Sequence, residues 1–269
     1  MRNVFNKYNG VLMLQDISLS IKKGAFCVLF GPDDSGKTTL LHLLMGFQLP
    51  SRGRLSLMGC RPNRIDGTKR QLVRFVPDDL IWEKKLTGSS YLGYAREASL
   101  RYSVEREQQL CRLFEIPLEE EVAKLPQETN KLIQLIAAFS ACPELLILDE
   151  PDNFLSVEKW KLLLQCLEAY HREGMTILLS VEQYEAVGTL GDYYVYLKEG
   201  KVQATGAVLP DKKHVKRITV SDGEKEKAYT FNGDVTKVRD ILVYAGYDDW
   251  TIENLTLQEE LEMENKNEK

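Results

Sequence analysis

The segment that most constrains this chain is GPDDSGKT at residues 31–38, which matches the pattern G-x-x-x-x-G-K-[S/T]. An apolar run, AFCVLF at 25–30, precedes it, and a leucine-rich stretch follows from about Gly36 to Gly46. The pattern needs a strand, a tight loop and a helix in that order, because backbone N–H groups and the helix N-terminus together bind a phosphate. We therefore predict a P-loop that binds a nucleoside triphosphate in an α/β fold.

Each residue of this loop has an expected role. Gly31 and Gly36 allow the backbone to curl around the phosphates and to approach them closely. Lys37 is expected to reach the β- and γ-phosphates, and the hydroxyl of Thr38 is expected to ligate Mg²⁺. The other residues assigned to the nucleotide are Asp34, Ser35 and Thr39. These assignments predict ATP and Mg²⁺ as the cofactors.

A second apolar run, ELLILDE at 144–150, predicts a buried parallel strand whose end faces the same site. Asp149 is expected to bind Mg²⁺ through water, and Glu150 to orient or deprotonate the attacking water. The alternative is a pair of acids that cap a strand before Pro151. Tyr8 is a candidate to stack on adenine, and its alternative is a core aromatic.

Other segments carry the patterns of single elements. GRLSLMG at 53–59 alternates apolar and polar residues, which predicts a half-exposed strand, and residues 87–114 show helical periodicity. Further predictions are an amphipathic helix at 156–172, a buried strand at 175–181 followed by a short helix, and a hairpin at 192–206 turning at Glu199-Gly200. After residue 206 we expect strands at 214–220, 228–231 and 250–255, a turn at 222–223 and a helix at 234–245.

Several segments in order resemble the ATP-binding subunit of an ABC transporter, namely LQDISLSIKKG, the P-loop, PELLILDEP, TILLS and GDYYVYLKEGKVQATG. The resemblance covers residues 1–206 and implies a P-loop NTPase of ABC type, with a mixed sheet core and a helical insert at about 79–140. The tail ending in TIENLTLQEEL at 251–261 resembles the small C-terminal extension of some exporter-type subunits. We expect an α+β unit over residues 207–269, with a frayed end, ENKNEK.

In that family two subunits sandwich two ATP molecules, each between one subunit's P-loop and the other's LSGGQ signature. The aligned segment here is LPQET, with Pro126, Gln127 and Glu128 in place of the serine and both glycines. Side chains at the glycine positions, one of them a carboxylate, are expected to block or repel the approach to the partner's γ-phosphate.

The departures extend to other motifs. They are Asp78 for the Q-loop glutamine, Ser156 for the D-loop aspartate, Glu182 for the switch histidine, and Asp33 and Asp34 inside the P-loop. Aspartate tolerates left-handed backbone geometry, so the loop is still expected to form, with a grip that depends on Mg²⁺. Since losing one donor aimed at developing charge costs about 10²–10³ in rate, we expect weak hydrolysis.

Two alternatives stay open. The divergent residues could substitute adequately, with Glu150 still supplying the base. The chain could also be a soluble or regulatory ATP-binding protein that does not drive transport.

Composition limits the partners. The net charge of −5 argues against bulk binding of nucleic acid. The start of the chain lacks a secretory pattern, and no run of 18 apolar residues occurs, so we expect no direct membrane insertion. Five scattered cysteines indicate reduced thiols of a cytosolic protein. The resemblance implies a membrane-spanning permease, contacted through residues 79–114, that holds the chain at the inner face of the membrane, and a second ATP-binding subunit, identical or not.

Overall fold

The computed structural model describes residues 1–8, 10–79, 85–208, 216–221, 226–231 and 249–267. The chain divides into two compact units, one of Met1–Glu182 with Leu190–Val208 and the other of Gln183–Thr189 with Leu209–Lys269. The second unit thus takes in residues 183–189 as well as the segment that follows the predicted boundary near Gly206. All five cysteines are free thiols. None of the described helices combines the length and the apolar composition that a bilayer crossing requires.

The first unit alternates strands and helices. Its strands are β1 (Arg2–Tyr8), β2 (Val11–Ile17), β3 (Phe26–Phe30), β4 (Arg52–Arg54), β5 (Val73–Val76), β6 (Leu145–Leu148), β7 (Thr176–Val181), β8 (Tyr193–Lys198) and β9 (Lys201–Ala207). Its helices are α1 (Lys37–Met45), α2 (Gly67–Arg70), α3 (Gly88–Glu97), α4 (Val104–Phe114), α5 (Gln127–Ser140) and α6 (Val157–Arg172).

Six strands form the central sheet, in the order β5-β6-β7-β3-β8-β9. The first five run parallel, and β9 pairs antiparallel with β8. β3 and β7 are buried along their whole length, as central strands covered on both faces must be. The sequence of β3 is accordingly an unbroken apolar run, and that of β7 is apolar except for Thr176 and Ser180. A second, antiparallel sheet has the order β2-β1-β4. This mixed architecture confirms the predicted fold class.

Helix α1 follows the loop after β3 and lies between two left-handed glycines. Gly36 precedes it with φ of 102° and Gly46 follows it with φ of 75°. Its Leu40 and Leu41 are buried in the core that includes Leu178 of β7. The predicted order of strand, loop and helix around residues 31–38 is therefore confirmed.

The predicted helical segment at 87–114 contains α3 and α4, which both pack on α5. Side-chain caps mark where these helices begin. Thr87 and Ser103 each accept a hydrogen bond from the backbone N–H three residues later, and Ser156 does the same for α6.

The strand predicted over residues 53–59 is wrong beyond Arg54, where β4 ends. Leu57 instead pairs back with Cys60 through two backbone hydrogen bonds of 2.8 and 2.9 Å. Met58 and Gly59 lie between them in left-handed conformations, with φ of 49° and 81°. Two such residues in succession reverse the chain, so the alternating pattern belongs to a turn whose leucines are buried.

The hairpin predicted at 192–206 is confirmed as β8 and β9. Glu199 and Gly200 connect the strands with φ of 50° and 71°. Positive φ at both central residues is the geometry that suits the twist of a two-residue hairpin. After β7, the predicted short helix is a 3₁₀ turn over Tyr184–Ala186.

In the second unit, β10 (Lys216–Ser221) pairs antiparallel with both β11 (Glu226–Phe231) and β12 (Asp249–Asn254), and α7 (Leu257–Asn267) follows. A capping box starts α7, because Thr256 N donates to Glu259 Oε2 at 3.0 Å and Glu259 N donates to Thr256 Oγ1 at 3.2 Å. The helix continues to Asn267, and fraying of the tail stays a prediction. The turn predicted at 222–223 and the helix predicted at 234–245 lie outside the described residues.

Candidate nucleotide-binding site

The loop between β3 and α1 is closed by tight backbone packing. A Cβ atom on Gly31 would lie 1.9 Å from the carbonyl oxygen of Leu197, so only glycine fits there. Asp34 is left-handed with φ of 58°, as expected from the tolerance of aspartate for this region. Ser35 N donates to Pro32 O at 3.2 Å. The loop therefore forms with aspartates at positions 33 and 34 of the motif.

The hydroxyl of Ser35 is buried without a hydrogen-bond partner among the residues described, and the residue is 2% exposed. A buried polar atom left unpaired costs about 1–3 kcal/mol. An oxygen of a bound phosphate would satisfy it. This orphaned hydroxyl fits an anionic ligand inside the loop.

Lys37 is folded back against its own loop. Its Nζ atom donates to the carbonyls of Gly31 at 2.6 Å and Pro32 at 3.0 Å, and the residue is 3% exposed. The same atom lies 3.1 Å from Oε1 of Glu150. The predicted phosphate ligand and the predicted base are thus in direct contact, and a nucleotide must compete with three oxygens for the ammonium.

Asp149 is 1% exposed at the end of β6, where Oδ1 accepts a hydrogen bond of 2.7 Å from Ser180 Oγ. Its other oxygen, Oδ2, is buried without a hydrogen-bond partner in the described part of the chain. Burial raises the pKa of this carboxyl, while the hydroxyls of Ser180 and Thr38 act in the opposite direction. An unsatisfied carboxylate oxygen beside a threonine hydroxyl fits Mg²⁺, which prefers such ligands.

Ser180 links both acids and was not singled out in the sequence. Besides donating to Asp149, its hydroxyl accepts a hydrogen bond of 3.0 Å from Glu150 N. In the parallel register Leu148 lies opposite Leu179, so the next residues on the two strands are Asp149 and Ser180. A serine inside the apolar run TILLSV was the available signal.

Glu150 has both carboxylate oxygens engaged. Oε1 faces Lys37, and Oε2 accepts a hydrogen bond of 3.2 Å from Asn153 Nδ2. The same amide nitrogen donates to Oδ1 of Asp78 at 2.9 Å. Asn153 therefore connects the candidate base to the residue at the Q-loop position, a contact that sequence spacing alone did not indicate.

Lys131 of α5 is a second buried ammonium near this end of the sheet, at 2% exposure. Its Nζ atom donates to Pro77 O at 2.8 Å and to Asp78 O. It also lies 3.9 Å from Oδ1 of Asp78. Burial lowers the pKa of Lys131, and the charges of surrounding aspartates oppose this effect. A lysine among the apolar residues of α5 was the signal in the sequence.

Two of the substituted motif positions bind each other. Ser156 N donates to Oε1 of Glu128 at 2.6 Å, and this hydrogen bond lowers the pKa of Glu128. The Glu128 carboxylate is thus engaged within its own chain, in the first turn of α5, whose N-cap is Pro126.

The remaining predicted residues are placed less centrally. Thr38 is exposed and Thr39 is half-buried in the first turn of α1. Glu182 is exposed just after β7, and its charge is one of several that raise the pKa of Asp152, after burial as the main cause. Tyr8 ends β1, but its side chain lies outside the described part of the structure, so its role stays a prediction.

The family model described as "ABC transporter" matches residues 14–153 of this chain. The Fe(3+) ions import ATP-binding protein FbpC of Pseudomonas fluorescens is 29% identical over 217 residues, which cover 77% of this chain and 60% of that protein. The Nod factor export ATP-binding protein I of Burkholderia orbicola is 30% identical over 213 residues, covering 77% of this chain and 69% of that protein. The chain thus spans less than two thirds of the length of the first of these relatives.

Solved structures agree with this match. One described as an ATP binding subunit of an ABC transporter has a TM-score of 0.69 and 25% identity, covering 77% of this chain and 88% of that chain. The dimeric ATP-binding cassette MJ0796, in a post-hydrolysis state bound to ADP and Pi, has a TM-score of 0.68 and 20% identity, covering 77% and 97%. The second likeness shows a shared fold.

Proposed function

The chain belongs to the ABC transporter family, and we propose that it is the ATP-binding subunit of a transporter complex, which binds Mg-ATP and hydrolyses it slowly. The observation that carries the proposal is the pair of unsatisfied buried oxygens, Ser35 Oγ in the P-loop and Asp149 Oδ2 beside it. Phosphate and Mg²⁺ together would satisfy both.

The residues that would hold the nucleotide are those of the P-loop, with Lys37 at the phosphates and with Thr38 and Asp149 toward the metal. Mg²⁺, when bound, neutralises the charge of the phosphate oxygens. Lys37 must first leave its contacts with Gly31, Pro32 and Glu150. Its exchange of a carboxylate for a phosphate keeps the ammonium paired.

Slow hydrolysis is supported by the surroundings of Glu150. A general base must reach the attacking water, and Asn153 holds Oε2 of this carboxylate through a contact that does not depend on Lys37. Glu182 stands at the position where the family has a histidine donor and carries the wrong charge to stabilise a phosphate. Loss of one such donor costs about 10²–10³ in rate.

We also propose that the chain pairs with a second ATP-binding subunit. The dimeric state of the cassette MJ0796, which shares the fold, supports this pairing. At the signature position this chain offers Glu128, already bound to Ser156, where the family offers glycine N–H groups. Its contribution to the partner's site is then structural, since the engaged carboxylate donates nothing to a γ-phosphate.

Docking on a membrane-spanning permease is supported by a groove of about 410 Å³ beside the Q-loop position. It is lined by residues of β5, α3 and α5, among them Arg74, Tyr91 and Gln134. The side-chain oxygen of Gln134 is buried there without a hydrogen-bond partner in the described residues. A permease segment seated in this groove would hold the chain at the inner face of the membrane.

The decisive experiment measures nucleotide binding and turnover on the same purified chain. We expect a fluorescent ATP analogue to bind in Mg²⁺, Lys37→Ala to abolish binding, and the exposed-site variant Lys124→Ala to bind as the wild type does. Turnover is expected about 10²-fold or more below the ~1–10³ s⁻¹ usual for enzymes. Turnover within that usual range would refute slow hydrolysis, and absent binding would refute the whole proposal.

A second candidate is a regulatory ATP-binding protein that does not drive transport, and the Glu128–Ser156 contact favours it because it closes the signature position within the chain. Co-purification separates the two. A stable complex with a multi-span membrane protein in mild detergent supports the transporter subunit. A chain that stays alone under those conditions supports the regulatory protein.

A further inference from the structure

Lys131 is a buried cation that the nucleotide chemistry described above does not use. Its ammonium is enclosed at 2% exposure, and it donates to the main-chain carbonyls of Pro77 and Asp78. Ammonium groups are rarely buried unless they are paired, because removing the charge from water is costly. The pairing partner is the carboxylate of Asp78, 3.9 Å away.

The acids around Lys131 outnumber it. The carboxylates whose charge acts on its ammonium are those of Asp78, Asp149, Asp79 and Asp152. Asp149 is the candidate metal ligand, so Lys131 belongs to the electrostatic surroundings of the site without touching the P-loop. Lys37, which is also a buried ammonium near this end of the sheet, is engaged with Glu150.

We propose that Lys131 is a positioning residue that fixes the Pro77–Asp78 backbone. Its charge is also an internal counter-charge to the four aspartates, and it sets how strongly this acid cluster depends on a divalent cation. The part that concerns nucleotide rests on the proposed function. The part that concerns the cation alone does not, and it can be measured without nucleotide.

The sign and size of the effect follow from Coulomb's law. One unit charge about 10 Å from a divalent cation, at an effective dielectric constant of about 40 for a site open to water, changes the affinity for that cation on the order of 10-fold. Removing the lysine charge makes the acid cluster more negative, so it attracts a divalent cation more strongly. The same change repels a polyphosphate more strongly, unless a divalent cation is bound between them.

The test uses Lys131→Gln, which removes the charge at similar length, and Lys131→Arg, which keeps it. The matched control is Lys124→Gln, whose side chain is 70% exposed and pairs with Glu121 at the surface. The first readout is Mn²⁺ binding to the nucleotide-free protein by electron paramagnetic resonance. The second is the ratio of the dissociation constants of a fluorescent ATP analogue in EDTA and in Mg²⁺.

For Lys131→Gln we expect Mn²⁺ to bind about 3- to 10-fold more tightly and the EDTA-to-Mg²⁺ ratio to rise by a similar factor. Lys131→Arg and Lys124→Gln are expected to leave both readouts unchanged. Asp78→Asn should move both in the opposite direction, which tests the idea even if Lys131→Gln fails to fold.

The contrary outcomes are distinct. Lys131 would be purely structural if Lys131→Gln lowered the melting temperature and weakened nucleotide binding in both buffers but left the EDTA-to-Mg²⁺ ratio unchanged. Unchanged Mn²⁺ binding would lead to the same conclusion. Tighter Mn²⁺ binding in a protein that binds no nucleotide in either buffer would refute the proposed function and support the counter-charge.

Discussion

Nζ of Lys37 lies 3.1 Å from Oε1 of Glu150, so the P-loop ammonium and the candidate base neutralise each other before any nucleotide arrives. The pair is largely buried, with side-chain exposures of 3% and 18%. An incoming phosphate must therefore displace a carboxylate from Lys37, and this competition lowers the affinity for nucleotide.

Glu150→Gln should bind Mg-ATP more tightly than the wild type, by roughly 3- to 10-fold. The variant removes a competing negative charge from Lys37 and from the phosphates, a change of about 1 kcal/mol at the effective dielectric of a partly exposed site. Isothermal titration calorimetry measures the affinity. Glu158→Gln, on the exposed first turn of α6, controls for the general loss of one negative charge. Equal affinities of Glu150→Gln and the wild type would mean that the contact does not limit binding.

Ser180→Ala should lower the free energy of unfolding by about 1–3 kcal/mol. The variant leaves the buried Oδ1 of Asp149 and the N–H of Glu150 without the hydroxyl that now satisfies both. Urea denaturation measures the loss, and Ser56→Ala, at an exposed position, is the control. A loss no larger than that of the control would contradict the linking role of Ser180.

Asp149→Asn should stabilise the nucleotide-free protein at neutral pH. Burial raises the pKa of Asp149 above its usual value of 3.8, so this carboxyl favours folding only where it is protonated, and that contribution disappears as the pH rises through its folded-state pKa. Denaturation at pH 7.5 and pH 4, without divalent cations, should therefore give a smaller stabilisation at the lower pH. The same variant is expected to weaken Mg²⁺-dependent nucleotide binding. A destabilised variant at pH 7.5 would contradict this account.

Glu128→Gln should lose stability relative to the wild type at neutral pH and match it in acid. The hydrogen bond from Ser156 holds the pKa of Glu128 below its usual 4.5, so its contribution is present above that value and is lost as the pH falls through the lowered pKa. Because the residue is only half-buried, the difference at pH 7 is expected to be small. Melting temperatures across pH 3–8 measure it, with Glu119→Gln, at an exposed position, as the control. A pH-independent difference would rule out this carboxylate as its source.

The local chemistry of the site could be predicted from the sequence because it is encoded in contiguous segments. The loop at 31–38 needs its glycines and lysine in one order, and the turn at Glu199-Gly200 needs positive φ at two neighbouring residues. The alternation at 53–59 misled because buried leucines in a turn and in a strand can share the same spacing. The turn is visible only through the pairing of Leu57 with Cys60.

The connections between segments could not be predicted in the same way. Asn153 joins Asp78 to Glu150, and Lys131 reaches the carbonyl of Pro77 across 54 positions of sequence. No periodicity or spacing specifies which side chains that are distant in sequence form such hydrogen bonds. The sequence showed that motif positions had changed, and the structure shows that two of the changed residues, Glu128 and Ser156, bind each other, while Asp78 is held by Asn153 and Lys131.

The packing of Gly31 against the carbonyl of Leu197 has a consequence for how this chain can change over time. Any side chain at position 31 would push β8 away from the loop, so glycine is required there by the fold whether or not a nucleotide is ever bound. Lys37 is under no comparable steric requirement. In a descendant that had ceased to bind ATP, packing would still require the glycine, whereas the lysine could be substituted. A substitution at position 37 would therefore be the first sign that ATP binding had been lost.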